Sequence, residues 1–183
     1  MNSFLIVLFI IIVVLIILGI MYIYFYNKIS DTIIRVDEAE NRIDNNLRDK
    51  YDLLNKCVSL IKGKIELDDK EFKDLLVLKT KKLSNFDLDR SLVKSHNELI
   101  NTYEENNKDL RDSDELYKSM KQIELIDEEL VTLRNYYNAN IANYNKMITK
   151  FPTLIIARIK KYQERMFYDL KNMKDEDYED FKL

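Results

Sequence analysis

The sequence predicts an all-α protein, in which an N-terminal single-pass transmembrane helix precedes an antiparallel four-helix-type bundle of long helices. Tight turns rely heavily on glycine and proline, and the chain has only 2 glycines and 1 proline in 183 residues. After residue 28, apolar residues recur every three or four positions over long stretches, which is the spacing of helices with one buried face. Such faces are buried most simply against one another.

The first element is a long apolar segment. Residues 4–26 carry no charged side chain, and these 23 positions would form a helix about 35 Å long, enough to cross a hydrocarbon core about 30 Å thick. Tyr22, Tyr24 and Tyr26 lie where a cleaved signal peptide would have small residues, and tyrosines are typical of the membrane interface. We therefore predict that residues 1–27 are a retained anchor, which contacts the lipid bilayer through residues 4–26.

The basic residues around this segment predict its orientation. Lys28, Arg35 and Arg42 follow the segment, whereas no lysine or arginine precedes it. Basic residues favour the cytoplasmic side of a membrane. The N-terminus is therefore expected outside and the body in the cytoplasm.

The first helix of the body is expected to continue directly from the anchor, because its apolar stripe begins just after Tyr26 and no helix breaker occurs before Gly63. The stripe consists of Ile29, Ile33, Val36, Ala39, Ile43, Leu47, Tyr51, Leu54, Val58, Ile61 and Ile65. A second helical pattern runs from about residue 70 to residue 108. Its middle, residues 84–89, is rich in side chains that bond their own backbone, so a kink, an interruption or a loop is expected there.

A third long helix is predicted from about Asp112 to Phe151, where Pro152 stops it. A shorter helix is expected to restart at Pro152 and to extend as far as Leu170. The predicted bundle therefore covers residues 28–173, and the acidic residues 174–183 are expected to be disordered. An extended coiled coil is the competing arrangement, and the short connections favour the compact bundle.

Two blocks of residues resemble the LemA family. The first comprises Val36-Asp37-Glu38-Ala39, Ile43-Asp44, Leu47-Arg48, Tyr51-Asp52-Leu53-Leu54, Val58 and Ile61-Lys62-Gly63; the second comprises Asp127-Glu128, Leu130, Leu133-Arg134, Tyr137-Asn138, Tyr144-Asn145, Phe151-Pro152 and Ile156-Ala157. The resemblance implies a membrane-anchored four-helix bundle at the bacterial inner membrane, and it implies no established reaction. The family usually has a second arginine where this chain has Lys50.

Five residues of the third helix form the candidate site, a polar row of Arg134, Tyr137, Asn138, Tyr144 and Asn145. The two tyrosines are seven positions apart and therefore lie on one face of the helix. The row can serve packing, with its rings in the core and its polar groups bonded to a neighbouring element. Alternatively, it can form a binding groove. Packing is the favoured interpretation.

No other residues indicate a site. His96 is the only histidine and is expected to be solvated or to cap a helix, while Cys57 is expected at the edge of the core. The sequence contains no phosphate loop, nucleophile elbow or zinc signature. No catalytic residue, cofactor or metal is therefore predicted, and the protein is not expected to be an enzyme. The net charge of -3 argues against a nucleic-acid partner.

Two functions stay open at this stage. The first is an interaction or scaffold protein whose bundle binds a protein partner, or a second copy of itself, near the membrane. The second is a small-ligand-binding sensor or accessory subunit with a site between bundle helices, near the polar row.

Overall fold

The computed structural model describes residues 3–67, 71–78 and 83–168. Over these residues the chain contains helices and no strand, which confirms the predicted all-α class. The helices are α1 (Ser3–Lys62), α2 (Lys73–Leu78), α3 (Asn85–Glu105), α4 (Asn107–Leu110), α5 (Asp114–Thr149) and α6 (Thr153–Lys160). Leu170 and the acidic stretch 174–183 lie outside the described residues.

Helix α1 confirms that the body continues directly from the apolar segment. It runs through 60 residues without a break. Residues 3–24 are all exposed, although most of them are large and apolar. By length and composition, this part of α1 could cross a membrane.

The predicted irregularity at residues 84–89 turns out to be the start of a helix. Ser84 is the N-cap of α3, and its hydroxyl oxygen accepts a hydrogen bond from the Asp87 backbone N–H at 3.2 Å. Serine, asparagine and aspartate are unfavourable in the interior of a helix, but at its N-terminus their side chains accept hydrogen bonds from the unpaired N–H groups. The weak helical pattern at residues 84–89 therefore marked the start of α3.

The chain divides into two compact units. The first contains the described residues up to Glu38 together with Tyr137–Phe167, and the second contains Ala39–Tyr136 and resumes at Tyr168. Each unit includes one part of α1 and one part of α5.

The first unit is held together by an apolar cluster formed by α1, α5 and α6. Its buried members are Ile29, Tyr144, Met147, Ile148, Ile156 and Ala157, with Phe25, Tyr26, Ile33 and Tyr162 partly buried against them. The turn between α5 and α6 is fastened by the Thr153 hydroxyl, which bonds to the carbonyl oxygens of Met147 and Lys150. Thr149 ends α5 shortly before Pro152, as predicted.

Helix α6 is shorter than predicted. It ends at Lys160, and Lys161 adopts the left-handed conformation with φ of 56°. The N–H of Tyr162 then bonds to the carbonyl oxygen of Ala157 at 3.0 Å, which closes the last turn. The expected continuation to Leu170 is therefore wrong, because residues 162–167 leave the helix as an irregular segment, which we call the strap.

In the second unit, α1 and α5 run antiparallel. The ion pairs between them show this direction, because the earlier residue of α1 pairs with the later residue of α5. Arg42 bonds to Glu129 at 2.9 Å, and Lys56 bonds to Glu115 at 3.0 Å. The buried apolar residues of this unit include Ile43, Leu47, Leu54, Ile61, Leu92, Leu99, Leu116, Ile123 and Leu130. Cys57 is also fully buried here.

Candidate functional site: the polar row of α5 and a buried charge cluster

Tyr144 packs its ring in the core of the first unit and directs its hydroxyl to the strap. The side chain is 3% exposed, and its hydroxyl donates a hydrogen bond to the carbonyl oxygen of Gln163 at 2.9 Å. Burial raises the pKa of Tyr144, so the phenol keeps its proton and remains a donor. A buried tyrosine hydroxyl needs such a partner, and the strap backbone provides it.

Asn145 binds the backbone of Arg165 through both the nitrogen and the oxygen of its side-chain amide. Its Nδ2 donates to the Arg165 carbonyl oxygen at 2.9 Å, and its Oδ1 accepts from the Arg165 N–H at 3.0 Å. Tyr137 adds a longer bond from its hydroxyl to the carbonyl oxygen of Met166 at 3.4 Å. Since the strap lies in no helix or sheet, these side chains supply backbone partners that regular structure would otherwise provide. Asn138 is half-buried.

The Arg165 side chain also holds the strap in place through an ion pair. Its guanidinium group lies 2.6 Å from the carboxylate of Asp37 on α1 and 5.7 Å from the ring centroid of Tyr144. Both the ion pair and the ring contact lie within the first unit. The strap is therefore fixed by its backbone to α5 and by one side chain to α1.

Arg134, at the start of the polar row, belongs to the second unit and has a different partner. It forms an ion pair of 2.5 Å with Asp89 of α3, with side chains only 14% and 9% exposed. Its guanidinium also lies 5.6 Å from the ring centroid of Tyr168, whose hydroxyl donates to Asp89 at 3.1 Å. The structure therefore brings Tyr137, Tyr144 and Asn145 together on the strap and gives Arg134 a separate role.

The Asp89–Arg134 pair is strongly desolvated. Burial raises the pKa of Asp89, and the positive charge of Arg134 only partly offsets this rise. One oxygen of Asp89 and the Nε of Arg134 are buried without a hydrogen-bond partner. Removing either residue would leave the other as an uncompensated buried charge, which is the more costly state.

A second, partly buried ion pair in the same unit was not predicted. Lys50 of α1 is 1% exposed, and its Nζ lies 2.5 Å from Oδ1 of Asp127 on α5. The other oxygen of Asp127 lies 3.1 Å from Nδ1 of His96 on α3. Burial alone would raise the pKa of Asp127, but the hydrogen bonds from His96 and Lys50 and the charge of Lys50 outweigh it and lower that pKa.

His96 is therefore a structural link, and the expectation that it is solvated or capping is wrong. Its side chain is 14% exposed, and it connects α3 to α5 through Asp127. One signal in the sequence could have indicated this burial. Leu92 and Leu99 lie four positions before and three positions after His96, and both are buried, so the side chain of His96 falls on the same face of α3. No spacing in the sequence identified Asp127 as its partner, since the two residues lie on different helices.

Together these groups favour stabilisation over chemistry. The carboxylates of Asp89 and Asp127 are matched by the positive charges of Arg134 and Lys50. Among the described residues, no group of three or more histidine, cysteine, aspartate or glutamate side chains could hold a metal ion. Cys57 is buried, and burial raises its pKa to about 11, so it stays a thiol at neutral pH.

Two surface grooves of the second unit lie away from the polar row. One, with a volume of about 540 Å³, is lined by α2 and α3 residues that include Lys94 and Glu98. The other, with a volume of about 530 Å³, is lined by α1 and α5 residues that include Leu53, Leu125 and Ile126. No residue of the polar row lines either groove.

The sequence profile of the LemA family matches residues 39–179, which is more than half of the chain. The chain belongs to the LemA family. Comparison with curated protein sequences gives no match. In this LemA protein, Lys50 takes the place of the arginine that is usual in the family, and its ion pair with Asp127 gives a physical reason for a cation at that position.

Proposed function

We propose that this LemA protein is a membrane-anchored interaction protein of the bacterial inner membrane. Residues 4–26 span the bilayer once, the N-terminus lies outside, and the helical body lies in the cytoplasm. The observation that carries this proposal is the apolar part of α1. Its large side chains are exposed without interruption from Phe4 to Tyr24, and a hydrocarbon environment is the one that suits such a surface.

The body has a non-catalytic role in this proposal. The buried Asp89 and Lys50 form ion pairs with Arg134 and Asp127, which are partly buried. The hydroxyl of Tyr144 and the amide of Asn145 are bonded to the strap, so two of the polar groups that a small-ligand site near the polar row would use are already occupied. These engagements support the interaction role over a ligand-binding sensor.

A surface of the second unit suits a protein partner. Leu125 on α5 is 57% exposed. Leu125 lines the groove between α1 and α5, and the other lining residues include the apolar Leu53 and Ile126 and the charged Asp49, Asp52 and Lys56. Protein–protein contacts usually combine apolar and charged side chains in this way.

The anchor is tested by charge substitutions in the apolar part of α1. We expect the chain to stay in the membrane fraction after alkaline carbonate extraction, whereas Ile11→Lys combined with Leu15→Lys releases it, because each lysine near the bilayer centre costs about 2.5–3.5 kcal/mol. Ile34→Lys is the control, because Ile34 is an exposed apolar residue of α1 beyond residue 26. Full extraction of the unmodified chain would refute the anchor.

The interaction role is tested by a photo-crosslinking amino acid placed at Leu125 in intact cells. Discrete protein adducts are expected from this position. Lys118, an exposed residue of the same helix that does not line the groove, provides the control. If both positions yield only lipid and the same diffuse background, the proposed interaction at this groove is wrong.

A further inference from the structure

Helix α6 presents an exposed apolar face. Phe151, just before the helix, is 79% exposed, and Ile155 and Ile159 are 52% and 63% exposed. Ile155 and Ile159 are four positions apart, so they lie one above the other on the same face. The opposite face is buried, because Ile156 and Ala157 belong to the apolar cluster of the first unit. The exposed residues are therefore not needed for packing within this unit.

Positive charge surrounds this face. Lys150, Arg158, Lys160 and Lys161 are exposed, and residues 150–161 contain no acidic residue. Exposed apolar side chains bordered by lysine and arginine are typical of helices that lie in the plane of a membrane surface containing anionic lipids.

The structure also fixes the height of α6 along α1. The Nζ of Lys160 lies 5.3 Å from the ring centroid of Tyr26, the last residue of the apolar segment. Ile156 and Ala157 share a cluster with Ile29, which is three residues after Tyr26 and therefore only about 4.5 Å further along the helix. The lipid headgroup layer is about 5–8 Å thick on each side of the hydrocarbon core, so the end of α6 around Lys160 lies at the level of that layer.

We propose that Phe151 and the exposed face of α6 form a second membrane contact, which inserts into the headgroup region and binds anionic lipid. This inference rests on the proposed anchor, since Tyr26 must lie at the membrane interface. A lipid surface is favoured over a protein partner because the anchor holds the face at the headgroup layer and because the charge is of one sign. The first unit then meets the bilayer through two elements, α1 and α6.

The test uses the absence of tryptophan from the chain. Three full-length variants, each with a single tryptophan, are reconstituted in vesicles of phosphatidylcholine and phosphatidylglycerol that carry bromine at a shallow or a deep acyl position. Phe151→Trp reports on α6, and Leu15→Trp reports on the centre of the apolar segment. Ile34→Trp is the matched control, because it is exposed and lies eight residues, or about 12 Å, beyond Tyr26.

We expect the emission of Phe151→Trp to be blue-shifted and quenched more by shallow than by deep bromines, with the reverse order for Leu15→Trp and little quenching for Ile34→Trp. In the Phe151→Trp background, Ile155→Ser with Ile159→Ser should reduce the quenching while circular dichroism shows unchanged helix content. Vesicles without phosphatidylglycerol should also reduce it, because each basic residue near an anionic surface strengthens binding roughly fivefold.

The two proposals fail in different ways. If Leu15→Trp is quenched but Phe151→Trp behaves like Ile34→Trp, the anchor stands and the second contact is wrong. If Leu15→Trp is not quenched, the anchor is wrong, and the contact that depends on it falls as well. A blue-shifted but unquenched Phe151→Trp, together with crosslinks between copies, would show that a second copy covers this face and would overturn the lipid assignment.

Discussion

Replacing Asn145 with alanine should loosen the strap without unfolding the bundle. The substitution removes two hydrogen bonds to the backbone of Arg165, of 2.9 and 3.0 Å. A hydrogen bond in a folded protein contributes about 0.5–1.5 kcal/mol net, so the loss is about 1–3 kcal/mol. Asn145 is only half-buried, so no large cavity is formed. Because the strap residues lie outside any helix, the effect should be local.

The Arg165 amide itself provides the assay, since its N–H donates to Asn145. Hydrogen–deuterium exchange of the peptide that covers residues 162–167 should accelerate roughly 5- to 150-fold, which corresponds to the expected loss of about 1–3 kcal/mol. Asn143→Ala, an exposed asparagine on the same helix, is the control and should leave this exchange unchanged. Equal exchange in the two variants would refute the role of Asn145 in holding the strap.

Three further predictions concern the second unit, each measured on the full chain in detergent. Asp127→Asn should lower the free energy of urea unfolding by about 3–5 kcal/mol, because it leaves Lys50 unpaired. It should also weaken the dependence of this free energy on pH in acid, because a carboxyl whose pKa is lowered by folding stabilises the protein above about pH 4 and loses this contribution as the pH falls further. An unchanged dependence on pH would contradict this. His96→Ala should cost about 1.5–3 kcal/mol in the same assay, since it removes a hydrogen bond to a charged group, and a cost below about 0.5 kcal/mol would show that the contact with Asp127 contributes little. Cys57, with its pKa raised to about 11, should react with iodoacetamide at pH 8 far more slowly in the folded chain than in urea, and equal rates would contradict its burial.

The long helices could be predicted from the sequence because they depend on short-range regularity. The three-to-four spacing after Tyr26 predicted that α1 would continue into the body, and Pro152 predicted the end of α5. The burial of Tyr144 followed from the same spacing, and so did the need of its hydroxyl for a partner. Each of these features is decided by residues within a few turns of one another.

The features that were missed depend on contacts between distant parts of the chain. The apolar residues Tyr162, Met166 and Leu170 continue a helical spacing, but the left-handed Lys161 ends α6, and the strap gains its hydrogen bonds from α5 instead. His96 and Asp127 are likewise brought together by folding. Their pairing depends on the packing of α3 against α5 in the second unit, which no local pattern records.

The absence of a linker between the apolar segment and the body has a mechanical consequence. Tyr26 and Ile29 belong to the same uninterrupted helix, and Ile29 is already part of the apolar cluster of the first unit. A helix turns by about 100° per residue, so each face of the apolar segment has a fixed angular relation to the face that carries the cluster. If residues 4–26 span a bilayer as proposed, rotation or tilting of this segment would therefore turn the first unit with it, whereas a flexible linker would let the two move independently.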